Sequence, residues 1–234
     1  MFSLILMSEN YKTRHDMTKA SDKNETAAKP GLVLHAAATY DLLIWLITLG
    51  QERAFRERML RLAHLQPGES VLDVGCGTGS LAIAAKRQVG PTGTVYGLDA
   101  SPEMIARAEK KAMKARVDIV FRNAFAQTLP FPDARFDVVL ATIMLHHLPK
   151  KARAELAGEI RRVLKLGGRA LAIDFGRTAR DRKSFLDHFH RRHGHVDFEE
   201  IIAQLNDVGL RVDESGAVGM QDLEFVLATL PDCA

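Results

Sequence analysis

Cysteine is scarce in this chain, with only Cys76 and Cys233 among 234 residues. Two thiols so far apart in the sequence form neither a disulfide framework nor a zinc-ligand pattern, so we expect no metal site. The chain also lacks a large excess of charge of one sign, because its formal net charge is only +3. The sequence has neither a long basic run nor basic residues interleaved with aromatic ones, which excludes the usual signature of a nucleic-acid-binding protein. The low cysteine content fits a reducing compartment, and we predict a cytoplasmic protein.

The N-terminal part lacks the features of a targeting segment. Residues 1–7 are apolar but have neither the basic leading region nor the small-residue cleavage site of a signal peptide. The residues that follow are polar and charged without periodicity, which predicts a mobile tail over residues 1–30. The apolar run 32–49 is nearly long enough to cross a bilayer, but it contains an aspartate and a histidine. We therefore expect it to form lid helices within residues 31–66.

Residues 67–234 alternate short apolar segments with amphipathic ones, and an amphipathic helix with Phe55 and Met59 on its apolar side precedes them. Strands that alternate with helices predict a parallel sheet covered on both faces, which binds ligands at the carboxyl ends of its strands. We therefore predict one α/β domain over residues 67–234. Its strands are expected near 70–74, 94–98, 117–121, 136–141, 169–175, 210–216 and 222–229, and its helices near 79–89, 102–114, 151–164 and 197–207.

A glycine loop follows the first predicted strand of this domain, in the sequence Val-Leu-Asp-Val-Gly-Cys-Gly-Thr-Gly-Ser of residues 71–80. Glycines let the backbone turn sharply and approach a ligand that a Cβ would block. Asp73 precedes the turn, and its carboxylate suits a ligand with a cationic amine but would repel a pyrophosphate. The loop therefore favours S-adenosylmethionine over a dinucleotide, for which the third small position is a serine here.

Asp99 ends the second predicted strand. A carboxylate at that place can accept hydrogen bonds from both hydroxyls of a ribose, a device shared by S-adenosylmethionine and dinucleotide sites. The alternative is that Asp99 caps the next helix, but Ser101, with Pro102 at the first helical position, suits that role better. We therefore predict that Asp99 binds the ribose.

Five segments extend this pattern in order: residues 73–79, 97–99, 122–133, 136–140 and 162–169. They resemble the first motif, the ribose-binding acid, the adenine-contacting segment, the fourth strand and the turn into the fifth strand of the class I S-adenosylmethionine-dependent methyltransferases. Within that family, the Asn-Ala pair at 123, the Leu-Pro-Phe-Pro-Asp segment at 129 and the Tyr-Asp-Leu-Leu segment at 40 are similar to the ubiquinone/menaquinone-biosynthesis C-methyltransferases and related small-molecule enzymes. The resemblance implies a Rossmann-like, doubly wound, seven-stranded and mostly parallel sheet, with an antiparallel C-terminal hairpin and N-terminal lid helices.

The resemblance also implies S-adenosyl-L-methionine as the cofactor and S-adenosyl-L-homocysteine as the product. The implied cofactor contacts are Asp73, Gly75, Cys76, Gly77, Thr78, Gly79, Asp99, Ala100, Met104, Asn123, Ala124 and Thr142. Many members carry an acid in place of Asn123, but an amide oxygen can also accept a hydrogen bond from the adenine amino group. The turn before the fifth strand usually reads Lys-Pro-Gly-Gly, and Leu166 replaces the proline here, which removes rigidity but no ligand contact.

Polar residues beyond the fourth and fifth strands are candidates for proton transfer. His146 and His147 follow the fourth strand at the cofactor edge, and imidazole titrates near neutral pH. The alternative is that one of these histidines faces the core or caps a loop. Asp174 ends the fifth strand, where the alternative role is an ion pair with Arg177. We expect Tyr40 of the lid to close over the cofactor or the acceptor, unless it is a packing aromatic residue.

An apolar lid implies an apolar methyl acceptor, so we predict methyl transfer to a small molecule such as a quinone or aromatic ring carbon. The His-His segment is widespread in relatives with unrelated acceptors, so O-, N- or S-methylation of a small metabolite, a thiol or chalcogenide included, stays open. A non-catalytic S-adenosylmethionine-binding module stays open too, and a dehydrogenase is the least favoured. Residues 177–195, rich in arginine and histidine, predict a solvated helix face, with an anionic acceptor or a peripheral membrane contact as the next alternative and a metal site the least favoured. A homodimer is also open.

Overall fold

The computed structural model describes residues 52–176, 196–220 and 222–232. The predictions for the tail over 1–30, for Tyr40 and the rest of the lid before residue 52, and for the segment 177–195 lie outside these residues. The elements in chain order are α1 (Glu52–Leu62), β1 (Ser70–Val74), α2 (Ser80–Val89), β2 (Thr94–Asp99), α3 (Pro102–Ala115), β3 (Val120–Asn123), β4 (Phe136–Thr142), a 3-10 turn (Leu145–His147), α4 (Lys150–Val163), β5 (Leu164–Phe175), α5 (Phe198–Asp207), β6 (Arg211–Ala217) and β7 (Leu223–Thr229).

The seven described strands form one sheet in the order β3-β2-β1-β4-β5-β7-β6. Strands β1 to β5 are paired in parallel, whereas β7 runs antiparallel to both β5 and β6. This arrangement confirms the predicted mostly parallel, Rossmann-like sheet with an antiparallel C-terminal hairpin. The chain runs outward from β1 to β3 and then crosses back to β4, so a crevice opens at the carboxyl ends of β1 and β4.

Alternating side chains of the strands build one apolar core on each face of the sheet. Leu72 and Val74 of β1 pack on the face covered by α4 and α5, while Val71 packs on the face covered by α1 and α2. Burial on both faces explains why these strands are almost continuously apolar. Because successive side chains alternate, Asp73 shares the face of Val71 and lies on the side of α1 and α2.

The third strand begins later than the predicted segment 117–121, because helix α3 ends in a further turn. Arg116 has a left-handed φ of 54°, and the Val117 amide still donates a hydrogen bond to a carbonyl of the last helical turn. Strand β3 occupies Val120–Asn123 and pairs with β2 alone, so it is an edge strand. An edge strand buries one flank only, and its apolar pattern is correspondingly weak.

The fifth strand begins at Leu164 rather than at 169, because the predicted glycine turn lies inside it. Phe136 pairs with Leu164 and Val138 with Arg169, so the ladder skips residues 165–168. The predicted turn is therefore a β-bulge within β5, for which the flexible glycine pair in this segment is suited.

Candidate active site

The glycine loop between β1 and α2 is held by backbone hydrogen bonds at the carboxyl ends of β1 and β2. Gly75, Gly77 and Gly79 have φ of 69°, 52° and 76°, a region that L side chains rarely adopt. The Cys76 amide donates to the Leu98 carbonyl at 2.9 Å, and the Gly79 amide donates to the Cys76 carbonyl at 2.9 Å. The sequence pattern thus predicted both the position and the conformation of this loop.

Two of the three glycines also approach protein atoms closely, a packing role that the sequence pattern did not predict. A Cβ at Gly75 would lie 2.8 Å from Cβ of Met144, and one at Gly79 would lie 2.8 Å from Cβ of Ala108. Real Cβ atoms essentially never come so close, so both positions need glycine for packing. Gly79 lets the loop pack on α3, and Gly75 lets it pack on the segment that follows β4.

An open cleft lies beside this loop, with an empty volume of about 550 Å³ that includes open solvent. The cleft is lined by five predicted cofactor residues, Asp73, Gly75, Cys76, Thr78 and Thr142, and by Glu52, Phe55, Arg56, Met59, Ser80, Leu81 and Ile143. The four residues of α1 were missed as site residues, although their i, i+3, i+4 and i+7 spacing shows that they share one helix face.

Asp73 is a buried acidic residue that lines the cleft. It is 1% exposed, and no residue that the structure describes gives its Oδ2 a hydrogen-bond partner. Burial first, and the charge of Asp99 second, raise the pKa of Asp73 to about 8, although a backbone hydrogen bond from Ala82 lowers it. A buried carboxylate with an unused oxygen is costly without a counterion, so this group fits the cationic amine of S-adenosylmethionine.

Asp99 holds the glycine loop from the neighbouring strand. Its Oδ2 accepts a hydrogen bond from the Gly77 amide at 2.9 Å, and its Oδ1 accepts one from the Ser101 amide at 2.8 Å. Burial raises the pKa of Asp99, and these two backbone hydrogen bonds oppose that shift. The helix cap is Ser101, whose Oγ accepts from the Met104 amide at 3.3 Å, with Pro102 as the first residue of the helix. The alternative of Asp99 as cap is therefore wrong.

Asn123 and Ala124 lie beside Asp99, and neither is among the residues that line the cleft. The Asn123 amide nitrogen and the Ala124 backbone amide both donate to the Asp99 carbonyl, at 2.9 and 3.2 Å. The nitrogen of the Asn123 side chain is therefore engaged, and a contact with adenine would use its oxygen. Ala100 is half-buried at the strand end, whereas Met104 is buried in α3.

A buried histidine and aspartate form a pair at the carboxyl ends of β4 and β5. Nδ1 of His146 lies 2.7 Å from Oδ1 of Asp174, and the His146 amide donates to Oδ2 of the same carboxylate at 3.1 Å. The side chains are 5% and 0% exposed. Asp174 therefore contacts His146 rather than lining the cleft, and its alternative partner Arg177 lies outside the described residues. The ring of His147 packs against that of His146, with centroids 3.9 Å apart.

The segment that joins the cleft to this pair has a strained backbone. Ile143 has a φ of 54°, a true outlier for a β-branched residue, which costs on the order of 1–3 kcal/mol. Its amide donates to the Ile173 carbonyl at 2.7 Å, which fixes the conformation. Ile143 lines the cleft and lies three residues before His146. Such strain persists only where the surrounding structure holds it, and it is frequent at functional sites.

The residues that the structure describes show neither a metal-binding cluster nor a membrane-spanning helix. No group of three or more histidine, cysteine, aspartate or glutamate side chains among them could hold a metal ion. In the same part of the chain, every helix is too short or too polar to cross a membrane.

The comparisons with known proteins agree with this geometry. A family model described as "Methyltransferase domain" matches residues 71–168. The chain is 32% identical over 167 residues to the ubiquinone/menaquinone biosynthesis C-methyltransferase UbiE of Cupriavidus metallidurans, an alignment that covers 71% of this chain and 68% of that relative. It is 36% identical over 158 residues to the UbiE protein of Ralstonia pickettii, which covers 67% of this chain and 64% of the relative.

A solved structure shows the same architecture. The structure of an S-adenosylmethionine-dependent methyltransferase from Aquifex aeolicus aligns with a TM-score of 0.64 at 26% identity, over 75% of this chain and 89% of that one. The sheet order, the glycine loop and these relatives lead to one assignment. The chain belongs to the class I S-adenosylmethionine-dependent methyltransferases.

Proposed function

We propose that this enzyme methylates a ring carbon of a small apolar acceptor, such as a quinone or another aromatic ring. The observation that supports an acceptor which must release a proton, as a ring carbon does after it gains a methyl group, is the buried pair of His146 and Asp174. S-adenosylmethionine supplies a methyl group that is already activated for in-line displacement. The protein therefore has to align the acceptor and accept its proton.

Cofactor binding is assigned to the residues around the glycine loop. Asp73 offers its unused Oδ2 to the ammonium group of the methionine part, and Asp99 offers its remaining lone pairs to the ribose hydroxyls. The oxygen of Asn123 is placed to accept from adenine, since the amide nitrogen already donates to the Asp99 carbonyl. Gly75, Cys76 and Thr78 of the loop, with Thr142, complete the walls.

Proton transfer is assigned to His146. Its Nδ1 faces the Asp174 carboxylate, which favours the tautomer with the proton on Nδ1, and Nε2 is the nitrogen proposed to accept the proton of the ring carbon. When the ring carbon releases its proton to Nε2, the resulting imidazolium is stabilised by the charge of Asp174. Asp174 is thus a positioning residue, because it acts through His146. His147 packs on the same ring and is the second candidate for a contact with the acceptor.

The apolar character of the acceptor is supported by the cleft and by the relatives. Phe55, Met59, Leu81 and Ile143 give the cleft apolar walls on the side of α1. The UbiE relatives are named ubiquinone/menaquinone biosynthesis C-methyltransferases. Contacts of Tyr40 with cofactor or acceptor, peripheral membrane contact, a homodimer and a cytoplasmic location stay predictions from the sequence.

The test uses methyl-labelled S-adenosylmethionine and a cell extract, with label counted in the lipid, aqueous and headspace fractions. Label in the lipid fraction is expected. His146→Ala should lower its rate by about two to four orders of magnitude while leaving S-adenosylhomocysteine affinity unchanged. The matched control is His64→Ala, because His64 is an exposed histidine that pairs with Glu214 at 2.8 Å.

Other outcomes would contradict specific parts of the proposal. Label in the aqueous or headspace fraction would replace the ring acceptor with a polar metabolite, a thiol or a chalcogenide. An unchanged rate in His146→Ala would remove the base. Binding of S-adenosylhomocysteine without transfer to any fraction would indicate a non-catalytic binding module.

A further inference from the structure

The methionine part of S-adenosylmethionine carries a carboxylate as well as an ammonium group, and the cleft is acidic. Asp73 and Glu52 line it, and Asp99 lies at the adjacent strand end. A further negative charge in this place is unfavourable unless a cation or several N–H donors face it. The carboxylate of the cofactor therefore needs a cationic or N–H-donating partner in addition to the residues of the glycine motif.

Arg56 is the one cationic side chain among the described residues that line the cleft. It is 22% exposed, and its Nη1 donates to Oε2 of Glu52 at 2.9 Å. The structure describes no hydrogen-bond partner for Nε and Nη2, which form the side-on edge of the guanidinium. Two parallel N–H donors on one edge match the two oxygens of a carboxylate.

Helix α1 is fixed firmly enough to position this guanidinium. Arg58 of the same helix donates through Nε to the Val218 carbonyl in the segment before β7. Arg169 of β5 donates to the carbonyls of Ala63 and His64, immediately after α1, at 2.6 and 2.7 Å. These contacts tie both the middle and the end of α1 to the sheet, so Arg56 stays at the wall of the cleft.

The backbone of the glycine loop is the competing partner, and much of it is already engaged. The amides of Cys76, Gly77 and Gly79 donate to Leu98, Asp99 and Cys76 respectively. Asp73 in turn accepts a backbone hydrogen bond from Ala82, in the first turn of α2. Few N–H groups of the loop therefore remain for a ligand carboxylate.

We propose that Arg56 binds the carboxylate of the methionine part of S-adenosylmethionine through Nε and Nη2, while Asp73 binds the ammonium group. The proposal rests on the assignment of the cofactor and is independent of the methyl acceptor. Glu52 orients the guanidinium from the other edge. The cleft thus recognises both charges of the amino-acid tail, one from α1 and one from β1.

The test is calorimetric binding of two ligands, S-adenosylhomocysteine and its decarboxylated analogue, which keeps the amine. Arg56→Gln is expected to weaken S-adenosylhomocysteine binding by about tenfold to a hundredfold, the effect of losing a hydrogen-bonded charge. Binding of the decarboxylated analogue should change by less than about threefold, since it makes no hydrogen bond to the guanidinium. Arg56→Lys, which keeps the charge but loses the planar edge, should fall between wild type and Arg56→Gln and gives a readout if the Gln variant fails to fold.

Arg53→Gln is the matched control. Arg53 is on the same helix and makes the same type of ion pair, with Glu57 at 2.8 Å, but its side chain is 92% exposed. It should bind both ligands like the wild type. Unchanged affinity for S-adenosylhomocysteine in Arg56→Gln would overturn the proposal in favour of the loop amides. Equal losses for both ligands would overturn the carboxylate contact. Failure of the wild type to bind S-adenosylhomocysteine would overturn both the cofactor assignment and the role of Arg56. Failure to find a methyl acceptor would not affect the role of Arg56.

Discussion

Replacing Asp73 by asparagine should make the ligand-free protein more stable and its cofactor site weaker. The carboxylate is 1% exposed, and its Oδ2 has no described partner. Burial raises its pKa to about 8, with the charge of Asp99 as the second cause. Asparagine keeps the shape and can still accept the backbone hydrogen bond from Ala82, but it brings no charge into the core.

The size of the effect follows from proton linkage. The unfolded carboxyl titrates near 3.8 and the folded one near 8, so between these values the folded state retains a proton that the unfolded state has lost. This proton-linked stability is complete below pH 4 and is lost as the pH rises through 8, at about 1.4 kcal/mol per pH unit. The loss therefore has an upper bound of about 6 kcal/mol above pH 8. The asparagine side chain has no proton to lose in this range, so the advantage of the Asp73→Asn variant should grow across this window.

Urea unfolding of both proteins at pH 5, 7 and 9, without ligand, measures this difference. Since all other groups are shared, the change with pH of the difference in unfolding free energy isolates Asp73 and its coupling to Asp99. Affinity for S-adenosylhomocysteine should fall in the variant by on the order of tenfold or more, because the ammonium group loses its charged partner. A difference in stability that is the same at all three pH values, or a variant less stable than wild type at pH 9, would refute the reasoning.

Two further predictions concern the glycine loop and the ribose site. Gly79→Ala places a Cβ 2.8 Å from Cβ of Ala108 at a φ of 76°, and should lower the unfolding free energy by roughly 2–4 kcal/mol. The control is Gly158→Ala, at a helix position with nothing within 4 Å. In the same urea experiment it should raise the unfolding free energy by about 0.5–1 kcal/mol. A stabilising Gly79→Ala would contradict the packing role. Asp99→Ala should weaken S-adenosylhomocysteine binding by about 2 kcal/mol, since two hydroxyl-to-carboxylate hydrogen bonds are lost, with Asp118→Ala before β3 as the exposed control. Equal affinities in calorimetry would remove Asp99 from the site.

The sequence was sufficient for the loop and for most of the sheet because local signals there agree with tertiary packing. Residues 71–80 combine a buried strand, glycines with positive φ and a helix start, and each of these has a local signature. Strand β3 and the start of β5 were misplaced for the opposite reason. An edge strand has a weak pattern, and a bulge of four residues depends on the pairing of Phe136 with Leu164, which no local pattern encodes.

The pair of His146 and Asp174 could be named from the sequence as separate candidates but not as a pair. Their contact depends on β4 and β5 being adjacent, with Thr142 opposite Ile173, which brings the next residues of both strands to one place. The role of α1 in the cleft was missed because its apolar face reads as ordinary core packing. Only the tertiary position of the helix shows that Arg56 and Glu52 border the same cleft as Asp73.

Two unfavourable features of the fold lie side by side, and this has a consequence for ligand binding. Burial opposes the ionisation of Asp73 and raises its pKa to about 8, and Ile143 has a strained φ of 54°. Asp73 is in register with Leu140 of β4, three residues before Ile143, so both features are at the carboxyl ends of neighbouring strands. A ligand with a cationic amine compensates the charge of Asp73, a gain that the Asp73→Asn variant lacks. Binding of S-adenosylhomocysteine should therefore raise the melting temperature of the wild type more than that of Asp73→Asn, and the gap should widen as the pH rises towards 8, where the free protein is penalised most.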